Sequence, residues 1–299
     1  MREFYRQFGP FKGLNTVDDG RNLTDDDLTQ AQNIDFDNVG DVELRPGRTL
    51  KASGDIHSLW PPFEIPISIC LFVEGNALKL LNADYTKTTL KTGLTAGLPM
   101  SYDFINGQVW YSNGEVIGYV ESLTDHSLST PAEPFKSAMY PGEIIAFYNN
   151  RLYAVKGNAV YYSDPMAFGR RDRRNCRLYF QGRITLFKPV TDGVFISFGG
   201  KTFFMTGTEP DQFILRNVAD YAAITGTAID VERKLIGEGV QGRTAMWDSE
   251  KGVCLGTDGG GFENLTIKRY LMPSDMRRGA SIYRKKNNGI GHFICSVSN

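Results

Sequence analysis

Phe147-Tyr-Asn-Asn-Arg-Leu-Tyr-Ala-Val-Lys-Gly-Asn-Ala-Val-Tyr-Tyr-Ser-Asp-Pro165 reads as a tight turn, a strand, a second turn and a second strand. Asn149-Asn150 and Gly157-Asn158 are the residue pairs that tolerate the positive φ of hairpin turns. Arg151 to Val155 and Ala159 to Tyr162 are aromatic and aliphatic, as residues on a pleated surface are. The pattern recurs. Phe104-Ile-Asn-Gly-Gln-Val-Trp-Tyr-Ser-Asn-Gly114 repeats its start, and Gly193-Val-Phe-Ile-Ser-Phe-Gly-Gly-Lys-Thr-Phe-Phe-Met205 repeats its later part.

Similar hairpins lie near residues 72, 104, 147, 193, 245 and 280. From 104 onward the first four starts are spaced by roughly 43, 46 and 52 residues, close to the period of propeller blades. A four-stranded sheet cannot cover both of its own faces, so repeated sheets stack around an axis and each covers its neighbour. The fold class expected is all-β, a β-propeller of about five to six irregular blades over residues 56–299, the first and last possible incomplete repeats. A β-sandwich is the alternative, but it does not require this period.

Residues 1–55 have another texture. They carry little strand patterning, and through Arg48 acidic residues outnumber basic ones. Thr24-Asp-Asp-Asp27 ahead of Leu28 to Gln32 predicts a short N-capped helix, with acids at the positive end of its dipole. Ile34 and Phe36, then Val42 and Leu44, alternate with polar residues around Asn38 to Asp41 and predict a hairpin closed by Arg45-Pro-Gly47. This extended segment, with helix and hairpin, is expected to form an N-terminal docking segment.

Composition narrows the function. The chain has 299 residues, 41% hydrophobic and 22% charged, with a net charge of −1, which excludes a disordered chain and a globally basic nucleic-acid binder. Tyr, Phe and Gly are abundant, in keeping with strands and tight turns. Only 3 His are present, and the 4 Cys (Cys70, Cys176, Cys254, Cys295) are far apart, so they read as small buried hydrophobes in a reducing compartment. Met1-Arg-Glu-Phe-Tyr-Arg6 has no apolar signal region, and Ile65 to Val73, the most apolar run, suits a buried strand and is too short to span a membrane.

Few motifs carry chemistry. Asp35-Phe-Asp-Asn-Val-Gly40 superficially matches a calcium loop, but Val39 and Pro46 stand where ligands are required. Asp258-Gly-Gly-Gly261 lacks the helix and Lys-Ser/Thr of a P-loop. Asp103, Asp164, Asp192, Glu209, Asp248 and Asp258 are the carboxylates available to a propeller glycosidase, and none sits in a distinguishing pattern. His57, His126 and His292 are distant in sequence, with no nucleophile motif. The sharpest feature is basic: Arg170, Arg171, Arg173, Arg174, Arg177 and Arg183 surround a single Asp172. Guanidinium forks suit phosphates, and Tyr179 and Phe180 are placed to stack on bases. A solvated loop between blades is the plain reading; a surface facing DNA or an acidic partner is the functional one. Arg277, Arg278, Arg284, Lys285 and Lys286 form a second basic stretch.

Phe11-Lys-Gly-Leu-Asn-Thr16, then Leu23 and Leu28, then Ala31-Gln-Asn-Ile-Asp-Phe-Asp37 and Gly40-Asp-Val-Glu-Leu-Arg-Pro-Gly-Arg48 resemble the opening of bacteriophage virion proteins with a propeller. These include tail nozzle proteins (tubular protein B-like) and packaged-DNA stabilisation or tail-hub proteins. The chain is much shorter than the larger nozzle proteins and closer in size to connector-accessory and hub proteins. The resemblance implies a non-enzymatic structural component of the virion tail, made in the host bacterial cytoplasm and needing no cofactor. It implies a homo-oligomeric ring, hexameric, touching other tail or connector subunits and making non-specific contact with DNA. Phe11, Leu14, Asn33, Asp35, Arg45 and Arg48 are then candidates for subunit docking. The alternatives are a propeller glycosidase or lyase, or a carbohydrate-binding module, acting on host surface polysaccharide.

Overall fold

In the computed structural model, the structure describes residues 10–36, 40–45, 47–61, 68–231, 242–270, 272–273, 275–285 and 291–299. The calls on Asp37, Asn38, Val39, Pro46 and Lys286 lie outside these residues, as do Met1 to Arg6 and the first part of the Ile65 to Val73 run. The chain is all-β. Among the described residues there are five four-stranded antiparallel sheets and four two-stranded pairings, and the helical elements are single 3-10 turns at Pro210–Gln212 and Asp258–Gly260.

The first sheet comprises Ile56–Trp60, Ser68–Glu74, Ala77–Asn82 and Lys87–Lys91. The second is Ser101–Ile105, Gln108–Ser112, Ile117–Glu121 and Thr124–Ser127. The third is Ile144–Tyr148, Arg151–Lys156, Ala159–Tyr162 and Arg177–Tyr179. The fourth is Ile184–Pro189, Val194–Phe198, Lys201–Thr206 and Ile214–Ala219. The fifth is Ile229–Val231, Thr244–Ser249, Gly252–Thr257 and Gly261–Asn264. In each, every strand pairs with the next in sequence order. The third alone is interrupted before its last strand, where Arg170–Asp172 pairs with Lys136–Ala138 instead.

The quoted stretch forms the inner hairpin of the third sheet, with Tyr148 opposite Arg151 and Tyr153 opposite Tyr162. Asn149 and Asn150 take φ of 46° and 63°, the left-handed conformation a two-residue turn of this kind demands. The strand Arg151–Lys156 is buried on both faces. Tyr153 and Val155 join a cluster with Ile184, Phe187, Val194 and Ile196 of the fourth sheet. Leu152 and Ala154, pointing the other way, join Ile105, Trp110 and Ile117 of the second. Val109 and Tyr111 of the second sheet in turn meet Leu71, Val73, Leu78 and Leu80 of the first. Four sheets therefore stack face to face in series, which is why their inner strands read as near-continuous apolar runs. One glycine is dictated within the second sheet: Gly118 lies opposite Tyr111 on the neighbouring strand, and a Cβ on it would lie 2.5 Å from the Tyr111 hydroxyl oxygen.

The chain divides into two compact units, Leu50–Ala222 and Met1–Thr49 with Ala223–Asn299. The first holds the four stacked sheets. The second holds the fifth sheet, the long hairpin Arg278–Lys285 with Gly291–Ser298, and the N-terminal segment. In that unit Val231, Met246 and Leu255 of the fifth sheet pack with Tyr283 and Phe293 of the hairpin.

The N-terminal hairpin forms, with Ile34–Phe36 antiparallel to Val42–Leu44. The expected helix does not. Thr24 to Asp27 make a turn, and Asp27–Leu28 pairs in parallel with Gly13–Leu14. The carboxylate of Asp27 turns back to accept the Thr24 N–H at 3.0 Å and its hydroxyl at 2.9 Å. A helix of that length barely repays its nucleation, so pairing with a neighbouring strand prevails. The signal read as an N-cap is a cap on a turn.

Candidate functional site

The basic run begins after the third strand of the third sheet: Arg170, Arg171 and Arg177 are held by ladder pairing, while Arg173 and Arg174 stand in the turn between and Arg183 follows the last strand. Arg171 lies opposite Ser137 across the two-stranded pairing, and Arg177 lies opposite Tyr161 in the third sheet. Half of its arginines are paired with carboxylates, Arg170 and Arg183 with acids distant in sequence and Arg174 with a local one. Arg170 donates to Glu133 at 2.8 Å and lies 3.3 Å from Asp164, which also receives Lys136 at 2.7 Å. Arg174 folds onto Asp172 through Nε at 3.0 Å and Nη2 at 2.7 Å, and these bonds hold the Asp172 carboxyl well below the usual carboxylate range. Arg183 meets Glu143 at 2.6 Å.

Arg171 is fixed in another way. Its Nε donates to the Ala138 carbonyl at 3.2 Å and its Nη1 to the Cys176 sulfur at 3.1 Å. Its guanidinium lies 5.4 Å from the Tyr140 ring and 5.7 Å from that of Tyr161, two rings stacked with centroids 4.2 Å apart. Arg173 and Arg177 remain: both are exposed, and neither has a carboxylate partner among the described residues. Arg177 lies over Tyr179 at 5.5 Å, and Tyr179 is 62% exposed. Phe180 is unavailable to a base, because its ring packs on Phe198 at 5.0 Å against the core. Glu133, Glu143 and Asp164 are the residues that local reading missed as partners; Glu133 and Glu143 arrive from across the fold, and Asp164 lies just ahead of the run.

Two of the docking candidates, Asp35 and Arg45, meet at a buried carboxylate. Asp35, 5% exposed, accepts Arg45 Nε at 2.8 Å and Arg284 Nη2 at 2.7 Å, with His292 Nδ1 3.1 Å from that guanidinium. Burial alone would raise the Asp35 carboxyl; the hydrogen bonds from Arg45 and Arg284 outweigh it and bring it down to about 2. Asp27, lowered to about 2 chiefly by the Thr24 N–H, also binds Arg269 at 2.6 Å. Leu14 pairs with Leu28, Phe11 N–H donates to the Gly40 carbonyl at 2.9 Å, and Arg45 N–H donates to the carbonyl of Asn33, whose φ is 56°. Arg48 is exposed. Of the second basic stretch, Arg284 joins Asp35, while Arg277 and Arg278 are exposed at the end of the long hairpin.

The carboxylates weighed for hydrolysis take separate partners. Asp103 accepts the Phe147 and Phe104 N–H groups, Glu209 binds Arg151 at 2.7 Å, and Asp164 belongs to the basic cluster. Asp248 is buried, which pushes its carboxyl up, and it accepts the Ser249 N–H at 3.1 Å. Asp192 is an exposed turn residue, and Asp258 opens a 3-10 turn. His57 contacts Ser58 at 2.9 Å and His126 stacks on Tyr119 at 4.9 Å. All four cysteines are free. Among the described residues no group of three or more His, Cys, Asp or Glu is placed to hold a metal ion.

No family model and no curated protein matches this chain. Solved structures do. The computationally designed Ika8 protein aligns at 10% identity and TM-score 0.44 over 78% of this chain and 79% of its own. The N-terminal domain of Nup159 aligns at 11% identity and TM-score 0.43 over 79% and 77%. The extracellular domain of the putative hybrid two-component system BT3049 from B. thetaiotaomicron aligns at 11% identity and TM-score 0.50 over 82% of this chain and 33% of that one. At these identities the likeness concerns the fold alone.

Proposed function

We propose that this chain is a structural component of a bacteriophage tail: a nozzle, hub or head-to-tail accessory protein that forms a ring and helps to retain or guide DNA. The body is a β-propeller of five to six irregular blades, the ring is hexameric, and the protein works in the virion without a cofactor or a catalytic step. The observation that carries this reading is the fate of the opening motif. Asp35 and Arg45, which lie in the stretches resembling phage virion proteins, form an ion pair on a buried carboxylate that also takes in Arg284, 249 positions away in sequence. The motif is thus an integral fastening of the fold, as a shared structural signature requires. With Asp35 and Arg45 occupied, subunit docking falls to the exposed side of the same hairpin, where Leu44 is 76% exposed and Val42 38%, and to Arg48. The carbohydrate-cleaving alternative needs two facing carboxylates, and each candidate for which a partner is named above has a different one. Locating the chain within intact particles tests the proposal; purified infectious particles that lack it would overturn it.

A further inference from the structure

We propose that Arg173 and Arg177, with the exposed ring of Tyr179, form a contact site for the phosphate backbone of DNA. The inference takes its setting from the tail reading above and narrows the partner surface to the groups left available. A guanidinium already bonded to a carboxylate brings little net charge to a ligand and gives up an existing pair to reach it. Arg170, Arg174 and Arg183 are in that condition. Arg171 is wedged between a carbonyl, a thiol and two rings. Only Arg173 and Arg177 in this run keep their donor forks for a partner, and each matches a phosphate in the two-pronged way that a fork allows.

The aromatic group decides between nucleic acid and an acidic protein segment. An acidic peptide would use the two guanidiniums and leave Tyr179 idle. A nucleotide uses both kinds of group, with phosphate on guanidinium and sugar or an unstacked base against the ring. Arg177 and Tyr179 belong to the last strand of the third sheet, and Arg173 stands in the turn ahead of it, where its N–H donates to the Phe135 carbonyl at 2.9 Å.

The test is a salt titration of the purified full chain with a labelled duplex, a single strand of the same length, and poly-glutamate as competitor. Two phosphate contacts give a slope of log K against log salt of about −1.8 for duplex and −1.4 for a single strand. Affinity then falls about twelvefold for duplex and about sevenfold for a single strand between 50 and 200 mM salt. The R173A/R177A variant should flatten the slope to near zero, R173K/R177K should keep it, and R170A should keep it too. Y179A should weaken the single strand more than the duplex. An unchanged slope in R173A/R177A, or poly-glutamate that displaces DNA at lower charge concentration than DNA itself, overturns the proposal. The tail assignment is judged separately, by the presence of the chain in particles.

Discussion

Asp35 shows how a buried carboxylate is kept charged. Its two arginine partners arrive from either end of the chain, and their hydrogen bonds outweigh the cost of burial. Because its folded pKa is about 2, below the ordinary carboxylate value, its contribution to stability is complete above roughly pH 4 and is lost as pH falls through about 2. D35N should therefore lower stability at neutral pH by about 1–3 kcal/mol and flatten the acid limb of the stability curve, measured by denaturant titration at each pH. An acid limb as steep as in the unaltered protein would contradict this. Tyr153 is the opposite case. Its hydroxyl is buried with no hydrogen-bond partner among the described residues, and burial pushes its ionisation far up. Y153F removes an unsatisfied group and keeps the ring, so it should be neutral or stabilising by up to about 1 kcal/mol in a thermal melt.

The strand Arg151–Lys156 fills two cores at once, and that governs what its substitutions do. L152A opens a cavity toward the second sheet and should cost about 2–5 kcal/mol, seen as a lower denaturant midpoint. At this scale the sequence was highly legible. Asn149-Asn150 announced a turn with two positive φ values, and the aromatic runs on each side became paired strands. The stacking partner of each face was not legible, because Leu152 and Tyr153 are both apolar and nothing in their order tells which sheet each will meet. Thr24-Asp-Asp-Asp27 misled because a turn cap and a helix N-cap use the same side chains; the choice was made by the strand Gly13–Leu14 lying alongside. The basic run misled in its strength. Its arginines are local, whereas Glu133 and Glu143 reach it only through the folded chain.

For the whole molecule, the near-zero net charge conceals local pairing in both the acidic opening and the basic run. The acidic opening is fastened by Arg269 and Arg284, and the basic run is fastened by acids of its own unit. The places left for the proposed contacts are few: the exposed Val42 and Leu44 of the N-terminal hairpin, and Arg173 and Arg177 near Tyr179. The most direct test is a cryo-electron microscopy reconstruction of the intact phage tail, with the chain fitted to density. The account predicts a ring of six copies in the tail or head-to-tail region, hairpins at the subunit contacts and Arg173 and Arg177 facing the DNA path. Density with no place for this chain, in particles that infect normally, would contradict it.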